Sequence, residues 1–263
     1  MTQGRSRIRD LLAAYDLNPD QRLGQNFLAD PQLIDRIVRL AGVGPEDQVV
    51  EVGAGTGALT AALVETGARV VAYEIDERLR PVLAETAIGA EVRFEDATRP
   101  LVLDDDPWVM VANLPYNVGT GIVLDVLQTL PQVTRMVVMV QQEVADRLVA
   151  GPGSRVYGVP SVIVALHGTA HRAFGVARDV FVPKPDVESA VVVIDRIDPD
   201  PLASEAVTLA RAAFGQRRKM LRRSLAGILD DPQAVLKAAG YSDTARAEEL
   251  APEGFLALAR AAS

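Results

Sequence analysis

Gln48–Glu74 reads QVVEVGAGTGALTAALVETGARVVAYE, and this stretch decides the fold. QVVEV (48–52) is a short apolar run, which predicts a buried strand, and Ala58–Glu65 carries helical spacing. RVVAYE (69–74) predicts a second strand. A strand, a helix and a strand joined this closely form a unit whose strands lie parallel. Between the first strand and the helix, Gly53, Gly55 and Gly57 let the backbone turn tightly and let a ligand approach without a Cβ in the way.

The alternation continues on the C-terminal side. Glu77–Thr86 predicts a helix and EVRFE (91–95) a strand; WVMVA (108–112) predicts a strand and Gly121–Leu130 a helix. RMVVMV (135–140) predicts a strand, Gln142–Val149 and Pro160–Leu166 helices, and AVVVID (190–195) a last strand. Upstream, a short helix is expected around Ile8–Tyr15. Asp30 suits an N-cap and Pro31 the first position of a helix whose face is Leu33, Ile34, Ile37, Val38 and Leu40. The pattern implies an α/β class with a doubly wound, mostly parallel sheet, which binds ligands at the carboxyl ends of its strands. Beyond the DPDP linker the strands stop, and 203–214, 217–229, 232–239 and 252–261 read as helical. The expected domains are therefore 1–198 and a small helical one, 199–263.

Composition narrows the chemistry. With no cysteine and only His167 and His171, neither a disulfide nor a thiolate or histidine metal site is available, and no metal is expected. MTQGRSRIRD lacks the apolar run of a signal peptide, and no later segment offers the roughly 20 apolar residues of a membrane span. A soluble, cytoplasmic protein is the expectation. The net charge of −8 argues against a nucleic-acid partner unless cations cluster on one face. They do cluster in sequence. Between Ala206 and Leu229 stand Arg211, Arg217, Arg218, Lys219, Arg222 and Arg223 with no acidic residue among them. Read as a helix, that run has no i,i+4 acidic partners, and RNA phosphates would relieve its self-repulsion. Arg5, Arg7, Arg9 and Arg22 form a second candidate patch, and Arg147 and Arg155 flank AGPGS, read as a mobile substrate loop.

The glycine loop by itself suits two ligands. Gly53, Gly55 and Ala58 fit the dinucleotide pattern G-x-G-x-x-[GA], with Glu74 about 20 residues on to hold a ribose; S-adenosylmethionine fits equally. The next strand ends favour the second ligand. Glu74 can accept bonds from both ribose hydroxyls, and Asp96, in FEDAT, can accept one from the adenine amine. Either carboxylate alone would read as a solvated loop residue. A glycine loop, an acid and an acid on three successive strand ends resemble the class I methyltransferases, which implies a seven-stranded Rossmann-like sheet.

The fourth strand end is VMVANLPYNVGT (109–120). An adenine N6 amine is a poor nucleophile because its lone pair is delocalised into the ring. Two acceptors aimed at its hydrogens would favour the tetrahedral geometry and the positive charge of the transition state. Asn113 can supply its side-chain carbonyl, and Leu114, held extended by Pro115, its backbone carbonyl. Tyr116 can stack on the base. An isolated N-x-P-Y would instead read as a turn with a helix cap.

NLPY here resembles the signature of amino-methyltransferases acting on adenine in RNA. LGQNFL (23–28), QQEVADRLVAGPGSRVYG (141–158), FVPKPDVESAVV (181–192) and AFGQRRKMLRRSL (213–225) narrow the match. Together they resemble the small-subunit (16S) ribosomal RNA adenine N6,N6-dimethyltransferases, the KsgA/RsmA family, over nearly the whole chain. The resemblance implies an S-adenosylmethionine-dependent enzyme that dimethylates two adjacent adenines near the 3′ end of 16S rRNA. Its substrate would be the 30S subunit or a precursor, its role small-subunit biogenesis, and its state monomeric. It also implies cofactor contacts from Asn26, Leu28, Gly53, Glu74, Asp96 and Asn113. Phe181 would sandwich the flipped adenine opposite Tyr116, though without the resemblance it reads as a core residue. Three other readings are a macrolide-resistance-type 23S rRNA adenine N6-methyltransferase, a non-catalytic rRNA-binding assembly factor and a dinucleotide-dependent oxidoreductase. The last gives NLPY no role.

Overall fold

The structure, a computed structural model, describes residues 3–263. Its first half follows the order α1 (Arg5–Ala14), β1 (Phe27–Leu28), α2 (Pro31–Ala41), β2 (Gln48–Val52), α3 (Ala58–Val64), β3 (Arg69–Glu74), α4 (Arg80–Thr86), β4 (Glu91–Phe94), β5 (Trp108–Asn113), α5 (Gly119–Thr129) and β6 (Val133–Gln141). Then come α6 (Gln142–Leu148), α7 (Val159–His167), β7 (Gly168–Val176), β8 (Phe181–Val182), β9 (Ser189–Arg196), α8 (Ala203–Gly215), α9 (Leu221–Ser224), α10 (Pro232–Ala238) and α11 (Pro252–Ala262). Seven strands form one sheet in the order β4-β3-β2-β5-β6-β9-β7. β2, β3, β4, β5 and β6 run parallel, and β9 joins β6 antiparallel. This is the doubly wound, mostly parallel sheet that the alternation implies.

Local chemistry explains the elements. Asp30 caps α2 by accepting from the Gln32 and Leu33 amides at 2.9 and 3.1 Å, Pro31 fills the first helical position, and Gly42 closes the helix in the left-handed region at φ +68°. Its apolar face, Ile34 and Ile37, joins Leu59, Leu63, Val111, Val137, Val191 and Val193 in one buried cluster. A second cluster joins Ile8, Leu11 and Leu12 of α1 to Ala72 of β3 and to Val82 and Leu83 of α4.

Three strands are not legible in the sequence pattern. β7, GTAHRAFGV, lies at the sheet edge and has no clean apolar alternation. β1 and β8 have two residues each and pair only with one another. The helix expected over 217–229 is overturned. α8 ends at Gly215, the chain turns through 216–220, Met220 forms a bridge with Arg246, and only Leu221–Ser224 is α-helical. Cations 217–223 therefore do not share a helix face.

By its internal contacts the chain divides into one unit of 1–145 with 171–195 and another of 146–170 with 196–263. The expected cut after 198 falls close to one of these boundaries but assigns 146–170 to the wrong unit. Side chains explain the assignment. Tyr157 packs edge-on against Phe214 at 5.6 Å and donates to the Leu250 carbonyl at 2.8 Å, and Phe214 packs on Phe255. A single cut at a linker cannot be recognised as too simple when the missing partners lie 57 or more positions away.

Candidate cofactor and base site

Five backbone segments meet in one cleft at the carboxyl ends of β2, β3, β4 and β5. They are the LGQNFL segment, the glycine loop, the ends of β3 and β4, and NLPYN. Asn26, Leu28, Gly53, Gly55, Glu74, Asp96, Asn113, Leu114, Pro115 and Tyr116 all line it. The strand order reverses between β2 and β5, so the cleft occupies the topological switch point of the sheet.

The glycine loop folds back over β3, with the Gly53 and Ala54 amides donating to the Tyr73 carbonyl at 2.8 and 3.1 Å. Gly55 takes φ +56°, and a Cβ there would stand 3.0 Å from the Phe27 ring. At Gly57, φ +76°, a Cβ would collide with the Thr86 hydroxyl at 2.4 Å. Glu74, at the end of β3, is buried and accepts from the Gly55 amide at 2.8 Å and the Asp76 amide at 2.9 Å. Burial pushes its carboxyl above the ordinary carboxylate range, while those amide bonds pull it back. Asp96, two residues beyond β4, accepts from the Thr98 hydroxyl at 2.6 Å and the Thr98 amide at 2.9 Å, which hold it below its ordinary value. Both bonds use Oδ1, which orients the carboxylate.

Asn113 closes β5. Its Nδ2 donates to the Asn26 backbone carbonyl at 3.1 Å, and Asn26 Nδ2 in turn donates to the Gly24 carbonyl at 3.1 Å. With its N–H so engaged, Asn113 presents Oδ1 as an acceptor. The Leu114 amide is tied to the Met139 carbonyl at 3.0 Å, and the Val118 and Gly119 amides both donate to the Pro115 carbonyl. The turn's own bonding thus leaves the Leu114 carbonyl out. Tyr116 is half-buried, and its hydroxyl meets the Ser189 hydroxyl at 2.7 Å.

Phe181 stands apart from the other expected site residues. It is fully buried, packs among Leu28, Ile34, Val176 and Val191, and is absent from the cleft wall.

Four residues of the site escape sequence reasoning. Glu51 reads as part of a buried strand, yet lines the cleft floor with 1% exposure. Burial pushes its carboxyl up to about 8. The nearby Thr60 hydroxyl offsets a little of this, yet neither it nor Glu51 Oε2 has a hydrogen-bond partner of good geometry. An acid inside an apolar run, just before a glycine loop, was the available signal. Gln25 bridges two segments, donating to Asp76 at 2.8 Å and accepting from the Asp20 amide at 2.7 Å. Ile75, a large apolar side chain left 48% exposed, offers a flat face inside the cleft. Ser189 has no sequence signal at all.

These residues fit S-adenosylmethionine. A buried carboxyl with an unpartnered oxygen suits a cationic ligand, two further acids suit ribose hydroxyls and an exocyclic amine, and Gly53 and Gly55 line the cleft with backbone alone.

The cations of the second unit divide into two kinds. Arg217 pairs with Glu248 at 2.9 Å and donates to the Tyr157 carbonyl at 2.8 Å, and Arg222 pairs with Asp243 at 2.7 Å. Their partners lie outside the 206–229 run, so that run conceals the pairing. Among the described residues no acidic side chain pairs with Arg218, Lys219 or Arg223, which are exposed. Arg147 and Arg155 are exposed too. The AGPGS loop between them is tethered, with the Gly153 amide bonded to the Glu248 carbonyl at 2.9 Å. In the N-terminal patch Arg7 pairs with Glu85 and Arg22 with Asp20. Among the described residues no group of acids and histidines could hold a metal ion, and no helix is long and apolar enough to cross a membrane.

Residues 17–262 match the family described as ribosomal RNA adenine dimethylase. The chain is 45% identical over 274 residues to ribosomal RNA small subunit methyltransferase A of Streptomyces avermitilis, covering 97% of this chain and 92% of that protein. Among solved structures it resembles a dimethyladenosine transferase from Plasmodium falciparum, with 25% identity and a TM-score of 0.74 over 88% of this chain and 95% of the other. It also resembles the 23S rRNA methyltransferase ErmE, with 26% identity and a TM-score of 0.67 over 90% and 99%.

Proposed function

The chain belongs to the ribosomal RNA adenine dimethylase family and is an S-adenosylmethionine-dependent rRNA methyltransferase, and from this we propose that it dimethylates N6 of two adjacent adenines near the 3′ end of 16S rRNA. It acts on the 30S subunit or its precursor, as a monomer in the cytoplasm, during small-subunit biogenesis. One observation carries the reading: Glu74, Asp96 and the Asn113–Tyr116 corner converge on a single cleft.

When bound, S-adenosylmethionine supplies an electrophilic methyl group. Glu74 would hold the ribose and Asp96 the adenine amine, and Asn26, Leu28, Gly53 and Gly55 would form the walls. Asn113 Oδ1 and the Leu114 carbonyl accept the hydrogens of the substrate amine, favouring the pyramidal geometry in which its lone pair can attack. Tyr116 stacks on the base and holds it in line. No strong general base is needed, because the amine proton becomes acidic only once the new bond has formed.

The direct test offers labelled S-adenosylmethionine with 30S subunits lacking dimethyladenosine, with 50S subunits and with naked 16S rRNA. Label mapping to paired dimethyladenines in 30S rRNA is expected. Label confined to 50S rRNA would favour an activity like that of ErmE and overturn the proposal.

Glu51 adds a pH dependence. Its folded carboxyl holds a proton up to about 8, against an ordinary value of 4.5 that applies in the unfolded chain. As pH rises between these values the unfolded state alone ionises, so the ligand-free protein loses stability across that window. A cation bound beside Glu51 favours the ionised form. Cofactor affinity should therefore rise towards pH 8 with release of a proton. Calorimetry in buffers of different ionisation enthalpy measures that proton, and Glu51→Gln should abolish the rise. A pH-independent wild-type affinity would remove Glu51 from the cofactor site.

RNA binding falls to Arg218, Lys219 and Arg223, with Arg147 and Arg155 as further contacts. Arg217 and Arg222 act by holding the unit together. Replacing Arg218, Lys219 and Arg223 with alanine should reduce the slope of log affinity for rRNA against log salt by about two to three, leaving S-adenosylmethionine affinity unchanged. An unchanged salt slope would place the RNA elsewhere.

A further inference from the structure

Residues 3–14 line no part of the cleft, yet they are built into its glycine loop from behind. In RSRIRDLLAA (5–14) Ile8, Leu11 and Leu12 recur at i, i+3 and i+4, which sets them on one face of α1, and all three are buried. That face joins the cluster holding Ala54 of the glycine loop and Phe27, whose ring stands against Gly55. At the far end of α1, Tyr15 donates to Glu85 of α4 at 3.0 Å, and Arg7 pairs with the same carboxylate. The helix lies ahead of residues 17–262, the part that matches the family.

One polar contact aims at the loop itself. Gln3 is 3% exposed, and its Nε2 donates to the Thr56 carbonyl at 2.7 Å. The Thr86 hydroxyl of α4 reaches the same carbonyl at 2.9 Å, but divides its hydrogen with the Val82 carbonyl, also at 2.9 Å. Gln3 is thus the undivided donor. Thr56 lines the cleft between Gly55 and Gly57, and the Gly57 amide donates to the Ala54 carbonyl at 2.9 Å. The peptide joining Thr56 to Gly57 therefore has both its polar groups bonded.

We propose that residues 3–14 form a strap that preorganises the glycine loop for the cofactor, with Gln3 a positioning residue acting through the Thr56 carbonyl. The assignment rests on the reading above, that this cleft takes S-adenosylmethionine. Glycines give the 53–57 loop more backbone freedom than other residues would, and a ligand that must first order a loop binds more weakly. The strap removes that freedom before the cofactor arrives. Its polar contact is to the cofactor loop and not to the NLPY corner, so its effect falls on cofactor affinity rather than on methyl transfer.

The test uses the full chain, with calorimetric S-adenosylmethionine binding and single-turnover methylation of 30S subunits lacking dimethyladenosine. Gln3→Met keeps the buried bulk and removes the donor. It should weaken cofactor binding about three- to tenfold, the usual worth of one hydrogen bond, with little change in transfer at saturating cofactor or in the KM for 30S subunits. Gln3→Ala carries the same expectation should the methionine variant not fold. Thr86→Val should weaken binding less than Gln3→Met, because its hydroxyl is shared. The double variant leaves the Thr56 carbonyl without either donor and should lose more than the product of the two single losses. Tyr15→Phe, which frees only the far end of α1, should keep wild-type cofactor affinity. Wild-type cofactor affinity in the Gln3 variants would overturn the proposal. So would a loss confined to the 30S KM, independent effects in the double variant, or an equal loss from Tyr15→Phe. Failure of the wild-type chain to bind S-adenosylmethionine would instead remove the functional reading on which the strap rests.

Discussion

Asn113→Ala is expected to slow methyl transfer by about 10²–10³-fold, the usual cost of deleting one acceptor or donor aimed at transition-state charge. Cofactor affinity should fall by less than about tenfold, because Glu74, Asp96 and the glycine loop remain. The geometry sets this ratio. The Asn113 amide is committed through Nδ2 to the Asn26 carbonyl, so its oxygen is held at the cleft rather than left to rotate. Alanine removes the acceptor and releases the Asn26 carbonyl together. Asn113→Asp keeps an acceptor but loses the donor that orients it, and should fall between alanine and wild type. Single-turnover rates at saturating cofactor and 30S subunits isolate the effect. A rate within a few-fold of wild type for the alanine variant would end the two-acceptor mechanism.

The second large effect is expected on binding. Glu74→Ala should weaken S-adenosylmethionine binding by about 100-fold, since two hydrogen bonds to a charged group are lost at roughly 1.5 kcal/mol or more each. The carboxylate also holds the Gly55 amide and the amide of Asp76, and Asp76 in turn binds Gln25 and Arg78. Without it, the glycine loop and the 20–26 segment lose a shared anchor. Thermal stability should change much less than affinity. Burial already opposes the charged form of Glu74, so deletion relieves a desolvation cost while it breaks bonds. Calorimetric affinity beside the melting temperature of the ligand-free protein separates the two, and an affinity within threefold of wild type would exclude Glu74 from the cofactor contacts.

The parts of the site legible in the sequence are those fixed by chain direction. A strand that ends in Glu74 or Asn113 delivers that side chain to the carboxyl edge of the sheet, whatever packs around it, and a short continuous apolar run identifies the strand. Long-range partners are a different matter. Nothing near Tyr116 points to Ser189, and nothing near Arg217 points to Glu248. Nothing near Phe181 announces its pairing with Leu28 across more than 150 positions either. The 217–229 helix failed for a related reason. Its composition suits a helix, but Met220 and the Leu221 amide are bound to Arg246 and Ala245 instead. Tertiary bonding overrode local propensity there.

The discontinuous second unit has a consequence for how the chain is made and cut. As synthesis proceeds, β2 to β6 can pair in parallel soon after each appears, while 146–170 emerges long before Phe214, Leu250 and Phe255 exist. Until then Tyr157, Val162 and Ile163, all buried in the finished protein, lie bare. A fragment ending at 198 would keep them bare permanently, so it should aggregate rather than persist as a small cofactor-binding protein. The catalytic half can be isolated only by removing 146–170 as well, with a short link joining β6 to β7.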